Sequence, residues 1–114
     1  MDSAWAYASE IAAAVSDGRT SAAAVVRAAL ARIAKHDRVL NAFTAVTEER
    51  ALAKAAALDA ERARGRRLGA VAGVPFAVKN LFDIAGVPTL AGSKINRDRA
   101  PAKRDGTLIG RAHV

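Results

Sequence analysis

The chain has 114 residues, 52% of them apolar but only 4% aromatic, no cysteine, and a formal net charge of +7. That suffices for one domain with a thin, alanine-rich core, and it excludes disulfides, thiolate metal sites and cysteine nucleophiles. The N-terminus MDSAWAYASEIAAAV carries no Lys or Arg before Arg19, so the basic region of a secretory signal is missing, and no apolar run reaches the ~20 residues a bilayer requires; a cytoplasmic protein with no membrane partner is the expectation.

The first predicted helix covers about residues 4 to 16, with Asp2 or Ser3 as N-cap and Gly18 just past its end. Ser21 opens a second, SAAAVVRAALARIAKHD, in which Val26, Leu30 and Ile33 share a face at the helical period. The short piece LNAFTAV leans towards a strand near 42–46. Thr47 then starts a third helix, with Glu48 and Glu49 in its first turn, Arg62 and Arg64 in its last, and Gly65 as its stop. That charge order complements the helix dipole and gives the RARGRR run an ordinary cause. The chain divides on this reading into a helical region, 1–66, and a second region, 67–114.

The second region changes character. VPFAV reads as a core strand, and its uniformly apolar make-up calls for neighbours on both faces. Turns follow around Gly86-Val87-Pro88 and Ala91-Gly92-Ser93, and INRDRAPAKRDG has a polar loop composition. The predicted class is α/β. On an alternating strand Val74, Phe76 and Val78 face one side, and Pro75, Ala77 and Lys79 the other. Lys79 would then stand at the strand's C-terminal end, where open α/β sheets hold their ligands. A lysine stripped of water there favours its neutral form and can accept a proton. On position alone, an ordinary exit of the strand into solvent accounts for Lys79 better.

Other titratable groups offer less. His36 and His113 have no partner at metal-ligand spacing. Glu48 and Glu49 are first-turn dipole partners rather than an acid/base pair. Asp83, Asp98 and Asp105 are loop carboxylates with no fixed separation, and Ser93 lacks the strand–turn–helix setting of a nucleophile elbow. The basic stretches at 62 to 67 and 94 to 104 contain none of the aromatics Trp5, Tyr7, Phe43, Phe76 and Phe82, which argues against a nucleic-acid partner.

The ordered run AGVPFAVKNLFDIAGVPTLAGSKINRDRAPAKRDGTL, residues 72 to 108, resembles the amidase signature family in its GVP-apolar-x-V-K-[DN] strand, its G-x-x-T turn and its AGSK segment. SDGRTSAAAVVRAALARI and LNAFTAVTEERAL are similar to that family's N-terminal helices. Within the family, KNLFDIAGVPTLAGSKINRD looks most like carboxybiuret hydrolases, with the amidase components of tRNA-dependent amidotransferases as near relatives.

The resemblance implies the N-terminal piece of the amidase-signature fold, in which helices precede the first core strands of a large mixed sheet. It also implies an amide hydrolase with a Ser–cis-Ser–Lys triad, whose lysine matches Lys79. The substrate would be a small amide, with no metal or organic cofactor and a small partner subunit. The Gly/Ser-rich signature that supplies both serines has no match here. DGTLIGRAHV departs from the family's D-A-T-L-V-x-R-L helix, where Gly106 and Gly110 each cost about 1 kcal/mol relative to alanine. An incomplete fold, inactive by itself, is therefore expected. The alternatives are a non-catalytic helical interaction module and the amidase component of a tRNA-dependent amidotransferase.

Overall fold

The computed structural model describes residues 1–112. Its elements are α1 (Ala8–Ser16), α2 (Ala22–Leu40), α3 (Glu48–Ala63), a 3-10 turn (Lys94–Asn96) and α4 (Thr107–Ala112). They belong to two compact units, Met1–Pro75 and Phe76–Val114.

In the first unit the helices follow their sequence signals with instructive shifts. Asp2 Oδ1 accepts from the Ala4 N–H at 3.0 Å, but this closes a turn and not the helix. α1 starts only after Tyr7, whose N–H donates to Glu10 Oε2 at 2.7 Å. A carboxylate reaching back to an N-cap amide satisfies one of the donors left over at a helix start. At the other end Gly18, at φ +74, takes the left-handed turn that stops α1. A Cβ there would lie 2.7 Å from Arg62 Nη1. Arg62 of α3 therefore lies over the C-terminal turn of α1, where the helix dipole favours a cation.

α2 begins as expected, with Ser21 Oγ accepting from the Ala24 N–H at 3.0 Å. A second cap comes from far along the chain. Asp59 of α3 accepts from Ala22 N–H at 2.8 Å through Oδ1 and from Ala23 N–H at 3.0 Å through Oδ2. One carboxylate thus satisfies two more of the orphan amides and also fixes α3 against the start of α2.

The core is the cluster Ile11, Val15, Ala22, Val25, Val26 and Ala55, with Leu30, Leu52, Leu58, Leu68 and Val74 packed on it. Leu68 and Val74 carry this unit past residue 66, to Pro75. Gly73 explains how the chain passes so close: at φ +79, a Cβ would meet Val15 Cγ2 at 2.9 Å. The RARGRR run is accounted for locally, since Arg64 and Arg66 both pair with Glu61, at 2.9 and 2.7 Å.

The expected strands do not form among the described residues. Asp37 Oδ1 takes the N–H groups of Ala42 and Phe43, at 2.7 and 3.2 Å. The chain leaves α2 through left-handed Asn41 instead of extending into a ladder. Residues 74–79 are without regular secondary structure, and the described residues hold only two isolated bridges, Ile84 with Val87 and Ala85 with Ala102. A strand needs a neighbour to receive its backbone hydrogen bonds, and among the described residues no second segment forms a ladder with VPFAV. Among the described residues, no helix is long and apolar enough to cross a membrane.

Candidate active site

Lys79 is exposed and lines a hollow of about 420 Å³ together with Phe76, Ala77, Val78, Phe82 and Leu108. The strict alternation expected of a strand is not kept, because four successive residues, Phe76 to Lys79, face the same hollow. Without a ladder nothing imposes the two-residue pleat. The lining is mostly apolar, with Ile109 at 4% exposure in the wall, but the Arg111 side chain shares it with Lys79.

The backbone at Lys79 is held on its C-terminal side. Its carbonyl accepts from the N–H groups of Leu81 at 2.8 Å and Phe82 at 3.2 Å, which turns the chain sharply after the lysine. Asn80 then takes hold of the AGVPTLAG segment. Its Oδ1 accepts from Leu90 N–H at 3.2 Å, and its own carbonyl accepts from Ala91 N–H at 2.8 Å. Ala91 sits at φ +48, a left-handed conformation that costs a non-glycine residue about 1–2 kcal/mol. The bond to Asn80 helps hold it there.

Further clamps tie in the rest of the run. Thr89 Oγ1 donates to Asp83 Oδ1 at 2.6 Å, and Asp83 C=O accepts from Gly106 N–H at 2.9 Å. Asp105 Oδ1 accepts from Ala85 N–H at 2.9 Å, and Asn96 Nδ2 donates to Leu90 C=O at 2.8 Å. The loop carboxylates Asp83 and Asp105, which have no assigned separation in the sequence, are thus the brackets of the segment bearing Lys79. Their signal was the motif order: KN, the T of VPT and the D of RDG belong together because they bond across the same segment.

His36 is exposed on α2, and His113 lies outside the described residues. Ser93 precedes the 3-10 turn, without a side-chain capping bond. The Lys79 ammonium makes no hydrogen bond or ion pair with any described residue, and no group of three His, Asp or Glu side chains among them could hold a metal ion. Chemically this is one lysine side chain on the wall of a mostly apolar hollow, carried by a hydrogen-bonded loop scaffold.

Similarity to known proteins runs through the same residues. The family model described as Amidase matches residues 24–113. The chain is 56% identical over 102 residues to AtzE, a component of the 1-carboxybiuret hydrolase of Pseudomonas sp. (strain ADP), covering 90% of this chain and 22% of that relative. To a component of the glutamyl-tRNA(Gln) amidotransferase of Streptomyces coelicolor it is 49% identical over 88 residues, covering 77% of this chain and 18% of that relative. A solved, inhibitor-bound structure is described as a vestigial protein complex that reveals the evolutionary origins of an s-triazine catabolic enzyme. It matches with a TM-score of 0.89 at 55% identity, over 91% of this chain and 23% of that one. The chain spans about a fifth of the length of the curated relatives it matches.

Proposed function

Since the chain belongs to the amidase family, we propose that it contributes the general base, Lys79, to a hydrolase of linear amide C–N bonds. In the whole enzyme a bridging serine passes the proton of the nucleophilic serine to Lys79 Nζ. The freed Oγ attacks the amide carbon, and the oxyanion that forms is held by backbone N–H groups. Collapse expels the amine, which takes the proton back through the relay, and water then releases the acyl group. Neither serine has a counterpart in these 114 residues, so the polypeptide by itself is expected to hydrolyse nothing measurable. VPFAV would become a strand of a large mixed sheet once further chain is laid beside it.

One observation carries this reading. Lys79 lies on a hydrogen-bonded segment of a chain that is 56% identical over 102 residues to a carboxybiuret hydrolase component, and it lines a mostly apolar hollow. A carboxybiuret-type substrate and a small partner subunit follow as proposals, the latter supported by a structural neighbour described as a complex. The test is a graft of residues 1–112 in place of the matching part of the Pseudomonas relative. The graft should hydrolyse carboxybiuret, and Lys79→Ala within it should lower kcat by about 10²–10⁴-fold, the usual worth of a general base. A graft that folds and turns over equally well with Lys79→Ala would overturn the assignment.

The amidotransferase reading uses the same lysine on a glutamine amide and is supported by the 49% identity to the Streptomyces relative. A corresponding graft assayed for glutamine hydrolysis separates the two. A binding role for the N-terminal helices is supported by Trp5 and Tyr7, which are 89% and 76% exposed. Retention of the relative's small partner by the 114-residue chain tests it.

A further inference from the structure

The second hollow of the Phe76–Val114 unit, about 290 Å³, is lined by Asp83, Thr89, Arg99, Lys103 and Arg104 with two alanines. It gathers three of the cations that the sequence scatters over residues 94 to 104. The two basic stretches of the chain are handled in opposite ways. In the first, Arg64 and Arg66 share the carboxylate of Glu61. In the second, Arg99, Lys103 and Arg104 have no ion pair with any described residue.

Asp83, the carboxylate of the lining, and Asp105, next to Arg104 in sequence, each accept a hydrogen bond from another group. Asp83 Oδ1 accepts from Thr89 Oγ1, and Asp105 Oδ1 accepts from the Ala85 amide. Three cations and one carboxylate leave the lining with a net positive charge.

The wall is also anchored. Ala102, between Pro101 and Lys103, receives the Gly86 N–H at 2.9 Å and donates its own N–H to Val87 C=O at 3.1 Å. The cations therefore project from a pinned backbone, which lowers the ordering cost of binding. Planar guanidinium groups suit tetrahedral oxyanions, and a predominantly positive concavity concentrates anions.

We propose that this hollow binds a small dianionic oxyanion, a phosphate group. No aromatic side chain lines it, so nothing is offered for bases to stack on, which separates it from a single-strand nucleic-acid groove. All three cations are exposed to solvent, which makes the site a weak and salt-sensitive one.

The experiment is a ¹H–¹⁵N NMR titration of the 114-residue chain at constant ionic strength with inorganic phosphate, sulfate, glycerol phosphate and nitrate in separate series. Saturable shifts at Thr89, Arg99, Lys103 and Arg104 are expected with the dianions and not with nitrate. Equal affinities for phosphate and glycerol phosphate indicate a free phosphate-sized ligand. Tighter binding of the ester indicates a phosphorylated metabolite. Arg99→Gln and Arg104→Gln should each weaken binding about tenfold, the worth of one charge-assisted contact. Arg97→Gln, on the same loop but outside the lining, should leave it unchanged.

Shifts that grow linearly with every salt, that centre on Arg62–Arg67, or that survive both glutamine variants would overturn the proposal. So would a single-stranded DNA oligomer that binds these residues far more tightly than phosphate does.

Discussion

The two units satisfy their backbone in opposite ways. From Met1 to Pro75 the amides bond mostly within helices, and stability comes from burying a small cluster around Val15, which is fully buried. From Phe76 onward the described residues have one buried apolar side chain, Ile109, and the backbone is held by Asn80, Asp83, Asp105 and Asn96, with Asp105 reaching across 20 residues. The helical unit rests on an apolar period along its helices, and the loop unit on named polar atoms. A scaffold of exposed hydrogen bonds positions a residue well but contributes little stability, each bond being worth about 1 kcal/mol net.

That contrast can be broken by substitutions measured in two ways: urea unfolding followed by helical circular dichroism, and hydrogen exchange at single amides. The largest effect is expected at Gly73. An alanine there combines left-handed strain with overlap on Val15, a loss of about 3 kcal/mol that moves the urea midpoint. Combined with Val15→Ala, the loss should fall short of the sum of the two, because they share one contact. Asp59→Ala comes next, at about 2 kcal/mol, since it orphans the amides of Ala22 and Ala23. Asp59→Asn should keep part of this.

Asn80→Ala should leave the helical midpoint unmoved and accelerate exchange at the Leu90 and Ala91 amides, a local loss of about 1 kcal/mol. If it lowers the helical midpoint instead, the two units are not separately stabilised. The smallest effect is expected for Glu61→Ala, below about 0.5 kcal/mol, because Arg64 and Arg66 are well exposed partners. A larger loss there would show that charge, and not burial, stabilises the helical unit.

Much of the helical unit is legible because its signals are local. Ser21 as a cap, Gly18 and Gly65 as stops, and the acidic start and basic end of α3 all act within one or two turns. The start of α1 departs from expectation because Asp2 offers the same cap chemistry as a true N-cap, and only Glu10 reaching back to Tyr7 decides between them. Asp59 could not be read at all. Nothing in ALDAERA says that its carboxylate meets the start of a helix 37 residues earlier. The strand expected at VPFAV rests on composition, which reports burial preference but cannot supply the neighbour that makes a ladder.

Lys79 shows the same division. Its position after an apolar run, and the order of the motifs around it, are properties of the sequence. So are the family it belongs to, the absence of thiol chemistry and the basic charge, because each depends on residue identity and spacing along the chain. The brackets around Lys79, the hollow it lines, the cap lent by Asp59 and the gathering of Arg99, Lys103 and Arg104 were decided only by tertiary structure. Asp105 with Ala85 and Asp59 with Ala22 are joined across 20 and 37 residues, and such bonds form only where the folded backbone brings a donor within about 3 Å of its acceptor.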